Sequence, residues 1–176
     1  MKISAALKTR LKRIKIFLCD VDGVLTDTSV FIGGAEEIKR FNIQDGLGLV
    51  LLRRAGIKVG FVSARPSKAT KLRADDLKVD FLVQQKESKV TAIEAILKQT
   101  GLTWAELCYV GDDVVDLGAL KRAGVSVAVA NAVTEAKSLA YYTTKQSGGH
   151  GAVREVVEMI LKAQNKWRSI IVEYTE

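Results

Sequence analysis

The sequence is poor in the residues that would mark a disulfide-linked, histidine-based or linker-rich protein: its 176 residues include one histidine, two cysteines and one proline. A single histidine, His150, argues against a zinc site and against a histidine-based catalytic triad. The two cysteines, Cys19 and Cys108, lie inside apolar runs that are typical of strands. Because no secretory signal precedes them, they predict buried thiols in a reducing compartment, which we take to be the cytoplasm.

Long apolar runs are also absent, since none reaches the roughly 18 residues that a membrane span needs. With no repeat and no low-complexity tract, we expect one domain over residues 1–176. The net charge of +7 favours anionic partners. Much of the excess lies in residues 1–13, where apolar residues recur at helical spacing. A membrane-surface role is one interpretation of this basic helix, and a leader helix packed on the domain is the preferred one.

Apolar runs alternate with helical patterns along the chain, which predicts an α/β fold with a Rossmann-like, doubly wound parallel sheet. The first run, from Ile14 to Cys19, reads as a strand that is buried on both faces. Residues 28–41 predict a β-hairpin that turns at Gly33-Gly34, and residues 42–46 predict a loop before a helix that opens at Asp45 or Gly46. The apolar tail, residues 165–176, is expected to dock on this domain or on a neighbour.

Polar side chains follow several of the predicted strands, where a parallel sheet usually places its chemistry. They are Asp20 and Asp22; Ser63 and Arg65; Lys89, at a helix start; and Asp112, Asp113 and Asp116. Clustered carboxylates repel one another unless a cation lies among them, and oxygen ligands suit Mg²⁺. One carboxylate can then act as a nucleophile toward phosphorus, while a second, two residues on, is placed to exchange a proton with the leaving alcohol. Ser63 and Lys89 are candidates for holding phosphoryl oxygens.

These residues resemble a known set of motifs. The segments Asp20-Val-Asp-Gly-Val-Leu-Thr-Asp27, Ser63-Ala-Arg65, Lys89 and Gly111-Asp-Asp-Val-Val-Asp116 are similar to the four motifs of haloacid dehalogenase-like (HAD) phosphatases. A narrower resemblance is to the 3-deoxy-D-manno-octulosonate (KDO) 8-phosphate phosphatases. It is carried by the segments at residues 41–46, 127–132 and 148–155.

The resemblance implies a Mg²⁺-dependent phosphatase that acts on a small phosphorylated sugar acid through an aspartyl-phosphate intermediate. Asp20 would be the nucleophile and Asp22 the general acid and base, with Ser63 and Lys89 binding the phosphoryl group. Mg²⁺ would be held by Asp20, the backbone carbonyl of Asp22 and Asp112. The resemblance also implies a set of substrate contacts, which are Asp22, Asn42, Asp45, Gly46, Arg65, Arg73 and Lys89. Gln44 and Val50 are neutral where some relatives are basic, which leaves a nine-carbon neuraminate-type 9-phosphate open as the substrate.

Related phosphatases often cover the site with a cap domain, and this sequence has no room for one. The segment after Asp27 holds only a hairpin and a helix, and the segment between Arg65 and Lys89 is equally short. An uncapped site needs another means of excluding water. A neighbouring subunit is the expected means, since the hairpin offers edges for pairing and the resemblance implies a homotetramer.

Two other classes of protein stay open at this point. A signalling receiver domain also combines an acidic pair, a phosphorylated aspartate, a hydroxyl residue and a lysine. However, no acidic cluster such as Asp112-Asp113 follows its lysine. A non-catalytic scaffold that binds nucleic acid through the basic N-terminus is disfavoured by the carboxylates at the strand ends, which repel phosphate. We therefore expect neither a nucleic-acid nor a membrane partner.

Overall fold

A six-stranded parallel sheet forms the centre of the computed structural model, which describes residues 4–33, 36–86 and 88–176. Its strands are β1 (Ile16–Cys19), β4 (Lys58–Ser63), β5 (Phe81–Gln84), β6 (Leu107–Gly111), β7 (Val125–Ala128) and β8 (Tyr142–Thr143). The order across the sheet is β5-β4-β1-β6-β7-β8, so the chain runs outward from β1 in both directions. Every residue of β1 is buried, as expected for a strand covered on both faces.

Helices connect and flank the strands. They are α1 (Ala5–Leu11), α2 (Ile43–Arg54), α3 (Lys68–Leu77), α4 (Lys89–Thr100), α5 (Leu117–Arg122), α6 (Thr134–Leu139), α7 (Ala152–Ala163) and α8 (Trp167–Glu173), with 3₁₀ turns at Trp104–Glu106 and Val114–Asp116. In α4 the buried side chains include Ile93, Ile96 and Leu97, which recur at the spacing of one helical face. The fold class predicted from the sequence is confirmed.

Two short antiparallel strands, β2 (Phe31–Gly33) and β3 (Glu36–Ile38), form the hairpin. The predicted turn at Gly33-Gly34 falls partly on residues 34–35, which lie outside the described residues. The second strand was expected to continue to Phe41 but ends at Ile38. Ile38 pairs with Phe31, the first residue of β2, so no partner is left for the residues that follow.

Helix α2 begins earlier than the sequence predicted. The side chain of Asn42 accepts hydrogen bonds from the backbone N–H groups of Gln44 and Asp45, at 2.7 and 3.1 Å. Asparagine is a preferred helix N-cap because its side-chain oxygen satisfies these otherwise unpaired donors. The expectation of a loop up to Asp45 was therefore wrong, and Asp45 and Gly46 lie in the first turns of α2.

The two ends of the chain pack on α7 or near it. Residues 1–3 of the predicted N-terminal helix lie outside the described residues, and α1 buries Leu7 and Leu11. Near the other end, Gln164 donates hydrogen bonds to the carbonyls of Leu11 and Ile14. Helix α8 buries Ile170, whereas further apolar side chains of this end, Ile171, Val172 and Tyr174, are exposed. None of the helices in the described part of the chain has the length and apolarity needed to cross a bilayer.

Candidate active site

The carboxyl ends of β1, β4 and β6 bring the predicted residues to one edge of the sheet. Asp20 directly follows β1, and Ser63 is the last residue of β4. The register pairs Cys19 with Phe61 and with Val110, so the residues just beyond these positions meet at the same level. Lys89 begins α4, as the sequence predicted.

Lys89 lies between two buried carboxylates. Its Nζ is 2.9 Å from Asp20 Oδ2 and 2.6 Å from Asp116 Oδ1, and all three side chains are buried. A buried ammonium group is costly unless it is paired and hydrogen-bonded, and here both conditions hold. The lysine is therefore fixed beside the predicted nucleophile.

Asp116 has a role that the sequence reasoning missed. Its Oδ1 accepts hydrogen bonds from Lys89 and from the Tyr109 hydroxyl, both at 2.6 Å. Its Oδ2 accepts from the backbone N–H groups of Asp112 and Asp113, at 3.0 and 3.2 Å. With both oxygens occupied, Asp116 orients Lys89 and the Asp112 loop. Its position four residues after Asp112 indicated that it could belong to the site. Spacing alone, however, does not distinguish a metal ligand from a residue that orients other side chains.

Asp112 differs from Asp116 in having a free oxygen. Asp112 Oδ1 is buried and has no hydrogen-bond partner among the described residues. Asp20, Asp112 and Asp116 each place a carboxylate oxygen within 4.8 Å of the others. A buried, unpaired carboxylate oxygen beside two further carboxylates fits a hard divalent cation such as Mg²⁺. Because Asp116 is saturated by four donors, Asp20 and Asp112 are the side chains best suited to hold it.

The same cluster shifts the pKa values of its carboxyl groups. Burial raises the pKa of Asp20 to about 6, with Lys89 opposing and Asp116 reinforcing the shift. Burial, with Asp20 and Asp116 as neighbours, raises the pKa of Asp112 to about 7. Burial alone would lower the pKa of Lys89, but Asp20 and Asp116 outweigh it and the pKa is raised. One ammonium group cannot neutralise three carboxylates. Without a metal ion, carboxyl groups of this cluster therefore keep their protons to a higher pH than usual.

This electrostatic imbalance predicts a pH-dependent stability in the metal-free protein. A carboxyl group with a raised pKa stabilises the fold fully below its unfolded value of about pH 4. That contribution is lost as the pH rises through about 6 for Asp20 and about 7 for Asp112. Between pH 5 and pH 8 we expect the EDTA-treated protein to lose on the order of 3 kcal/mol of unfolding free energy.

The check is thermal denaturation across this pH range, in EDTA and in excess Mg²⁺. Excess Mg²⁺ should remove most of the slope, because the cation neutralises the same carboxylates. A slope that is the same in EDTA and in Mg²⁺ would contradict the assignment.

Gly23 provides the space into which Asp112 points. It has φ +95°, and a Cβ at this position would lie 2.0 Å from Asp112 Oδ2. We expect Gly23→Ala to displace Asp112 and to lower kcat/KM by roughly 100-fold, since an error of about 1 Å at a reacting centre has effects of this size. The measurement is phosphate release at varied Mg²⁺.

The matched control is Gly56→Ala, because Gly56 has φ +83° with nothing within 4 Å of the added Cβ. It carries the same backbone penalty of about 1–2 kcal/mol without a clash, and activity should be retained. Equal losses of activity in the two variants would mean that backbone strain, not displacement of Asp112, is responsible.

Asp22, the predicted general acid and base, is turned toward the hairpin side of the site. Its Oδ1 is 2.7 Å from Lys39 Nζ, an ion pair whose angles are not those of a hydrogen bond. Its Oδ2 is 3.5 Å from Arg65 Nε. Ser63 is buried, and its hydroxyl bonds to the backbone of Arg65. Lys39 was not identified from the sequence, where nothing separates it from the neighbouring basic residue Arg40.

The remaining predicted substrate residues have partners within the chain. Asn42 caps α2, and Asp45 is buried and accepts hydrogen bonds from the N–H groups of Gly151 and Arg154 at the start of α7. Burial raises the pKa of Asp45, with the backbone donors opposing the shift. Arg73 packs against Gly46 and pairs with Asp76. These contacts are structural, and the expected substrate contacts of these residues stay predictions.

A cavity of about 890 Å³ adjoins the glycine-rich loop that precedes α7. Its lining includes Gln44 and four cationic side chains, which are Lys8, Lys145, Arg154 and Lys162. None of the residues that line it belongs to the Asp20, Lys89, Asp112 and Asp116 cluster. The chemistry is therefore assigned to that cluster and not to this cavity.

Comparison with known proteins agrees with this site. Residues 80–156 match the haloacid dehalogenase-like hydrolase family. The KDO 8-phosphate phosphatase of Haemophilus influenzae is 40% identical over 161 residues, which cover 91% of this chain and 89% of the relative. The Yersinia pestis phosphatase of the same name is 37% identical over 158 residues, covering 89% and 84%.

A solved structure extends the likeness to the fold. The KDO 8-phosphate phosphatase of Moraxella catarrhalis, in complex with a magnesium ion, a phosphate ion and a KDO molecule, superposes with a TM-score of 0.93 at 37% identity. The match covers 96% of this chain and 97% of that one. The chain therefore belongs to the KDO 8-phosphate phosphatase family of haloacid dehalogenase-like hydrolases.

Proposed function

We propose that this protein hydrolyses KDO 8-phosphate to KDO and inorganic phosphate in a Mg²⁺-dependent reaction. The observation that carries the proposal is the buried cluster in which Lys89 bridges Asp20 and Asp116 beside the unpaired oxygen of Asp112. Over the aligned residues, the relatives named for this activity are 37% and 40% identical to the chain. The receiver and scaffold alternatives lack comparable support.

In the first step, Asp20 attacks phosphorus. A bond forms between a carboxylate oxygen of Asp20 and phosphorus, and the bond from phosphorus to the sugar oxygen breaks. Asp22 gives its proton to the departing oxygen, so that this oxygen leaves as a neutral hydroxyl group of the sugar acid and not as an alkoxide. Ser63 and Lys89 hold the phosphoryl oxygens, whose charge is spread in the transition state.

In the second step, water attacks the phosphorus of phospho-Asp20. Asp22, now ionised, takes a proton from the water, and the bond from phosphorus to Asp20 breaks to release inorganic phosphate. Both residues thereby return to their starting states. When bound by Asp20, the Asp22 backbone carbonyl and Asp112, Mg²⁺ supplies positive charge that offsets the repulsion between carboxylates and phosphate.

The test is phosphate release from KDO 8-phosphate, a nine-carbon neuraminate-type 9-phosphate and glucose 6-phosphate. We expect KDO 8-phosphate to give the highest kcat/KM, EDTA to abolish release and added Mg²⁺ to restore it. A higher kcat/KM for the nine-carbon substrate would leave the proposed reaction in place and replace the proposed substrate, in line with the neutral Gln44 and Val50. Turnover that survives EDTA would contradict the proposal.

We also propose that the enzyme assembles as a homotetramer through its hairpin, with each active site completed by a neighbour. Phe31 and Ile38 are opposite one another across the hairpin, and both are exposed, at 57% and 64%. Paired apolar side chains left in water favour an interface. The variant Phe31→Ser/Ile38→Ser should sediment as a smaller species, whereas an unchanged tetramer would contradict the role of the hairpin.

The cytoplasm is the proposed compartment, in keeping with the two buried free thiols.

A further inference from the structure

Lys39 is an unusual residue for a hairpin. It directly follows β3, yet its side chain is fully buried. Its Nζ lies 2.7 Å from Asp22 Oδ1, 3.1 Å from Thr70 Oγ1 and 3.6 Å from Glu37 Oε1. Burying an ammonium group costs several kcal/mol before its partners compensate, and apolar side chains in place of the whole ion pair would often be at least as stable. Stability alone therefore does not account for a lysine at this position.

The partners of Lys39 are themselves fixed to α3. Glu37 Oε1 accepts a hydrogen bond from Ser67 Oγ at 2.6 Å, and its other oxygen pairs with Arg65. The Ser67 bond is the main cause that lowers the pKa of Glu37. Ser67 caps α3 by accepting from Thr70 N–H at 3.2 Å, and Thr70 in turn contacts Lys39. The ammonium group is thus held by both the hairpin and the first turn of a helix.

We propose that Lys39 is a positioning residue for Asp22, which fixes Oδ1 so that Oδ2 is the oxygen that exchanges the proton. The two oxygens of Asp22 have unequal surroundings: Oδ1 has a full cation at 2.7 Å, whereas the contact of Oδ2 with Arg65 is 3.5 Å long. An ion pair of 2.7 Å to a buried cation restricts rotation of the carboxyl group. Lys39 therefore acts on the reaction through Asp22.

This inference rests on the proposed function and predicts a specific dependence on the leaving group. A sugar alkoxide is a poor leaving group that needs the proton of Asp22, whereas p-nitrophenolate leaves without one. In Lys39→Met, kcat/KM for the sugar acid phosphate should fall on the order of 100-fold, the lower range of general acid catalysis. With p-nitrophenyl phosphate it should fall by less than about threefold. The quantity kcat/KM reports steps up to phosphorylation of Asp20, so changes in its later hydrolysis do not enter.

Two further variants define the scale of the experiment. Asp22→Asn should show the same selective loss, since it removes the proton donor itself. Lys71→Met, on the outer surface of α3, removes a lysine whose partner is the exposed Asp75 at 2.7 Å, and should change neither substrate. If Lys39→Met does not fold, Lys39→Met/Glu37→Gln takes its place, because it removes the buried cation together with one of its anionic partners. The fold of this variant is checked by thermal denaturation.

The possible outcomes separate the two proposals. Equal losses of kcat/KM with both substrates would show that Lys39 only supports the fold. No loss with either substrate would show that Asp22 is positioned without Lys39. Either result overturns the inference. If the unaltered enzyme releases no phosphate from either substrate, the proposed function fails instead. A selective loss with the sugar acid phosphate supports the inference.

Discussion

Asp20→Asn is expected to lower kcat by roughly 10⁴-fold or more, because a carboxamide does not form the covalent intermediate. The substitution keeps the size of the side chain and its position after β1. Lys89 loses one of its two carboxylate partners but keeps the other, Asp116, so the fold should persist. The measurement is phosphate release from KDO 8-phosphate at saturating Mg²⁺.

The matched control for Asp20→Asn is Asp75→Asn, which makes the same chemical change at an exposed ion pair on α3. It should leave kcat unchanged within about twofold, as expected for a surface pair worth at most about 1 kcal/mol. Retention of more than a tenth of the activity in Asp20→Asn would show that another group attacks phosphorus.

Lys89→Met is expected to have the second largest effect, acting on both catalysis and stability. Loss of the ammonium group should lower kcat/KM by about 10²–10³-fold, the usual cost of removing one preorganised donor from a transition state. It also leaves Asp20 and Asp116 buried without their cation. Breaking a buried pair in this way costs about 3–5 kcal/mol of unfolding free energy.

Activity and urea denaturation of the Lys89 variant test the two effects separately. Lys162→Met is the control, since Lys162 pairs with Glu158 at 2.6 Å on the surface and its side chain is 54% exposed. The double variant Lys89→Met/Asp116→Asn should recover part of the stability but not the activity. Recovery of activity together with stability would indicate that Lys89 is only structural.

The sheet and the acidic cluster were predictable because both depend on short patterns. Continuous apolar runs that end in Asp20, Ser63 and Asp112 define buried parallel strands and the edge where they meet. Lys89 was predictable as a helix start, although its partner Asp116 was not. The pairing of Lys89 with Asp116 depends on how α4 lies against the 3₁₀ turn Val114–Asp116, which local periodicity does not specify.

The roles of the hairpin and of the α2 start were harder to predict, for a physical reason. Lys39 and Glu37 derive their importance from contacts with Asp22 and Ser67, and these contacts join segments that are distant in sequence. Similarly, Asp45 looked available for substrate, but its oxygens are engaged by the start of α7, more than a hundred residues away. Motifs indicate which residue types are present, while long-range packing decides what each one contacts.

The central claim, that Asp20 becomes phosphorylated during turnover, is tested most directly by the stereochemical course at phosphorus. A substrate whose phosphoryl group is chiral through oxygen isotopes, hydrolysed in isotopically labelled water, reports whether one or two displacements occur. Attack by Asp20 followed by attack by water gives two inversions, so the account predicts net retention of configuration. Net inversion would mean that water attacks the substrate directly, and it would contradict the account.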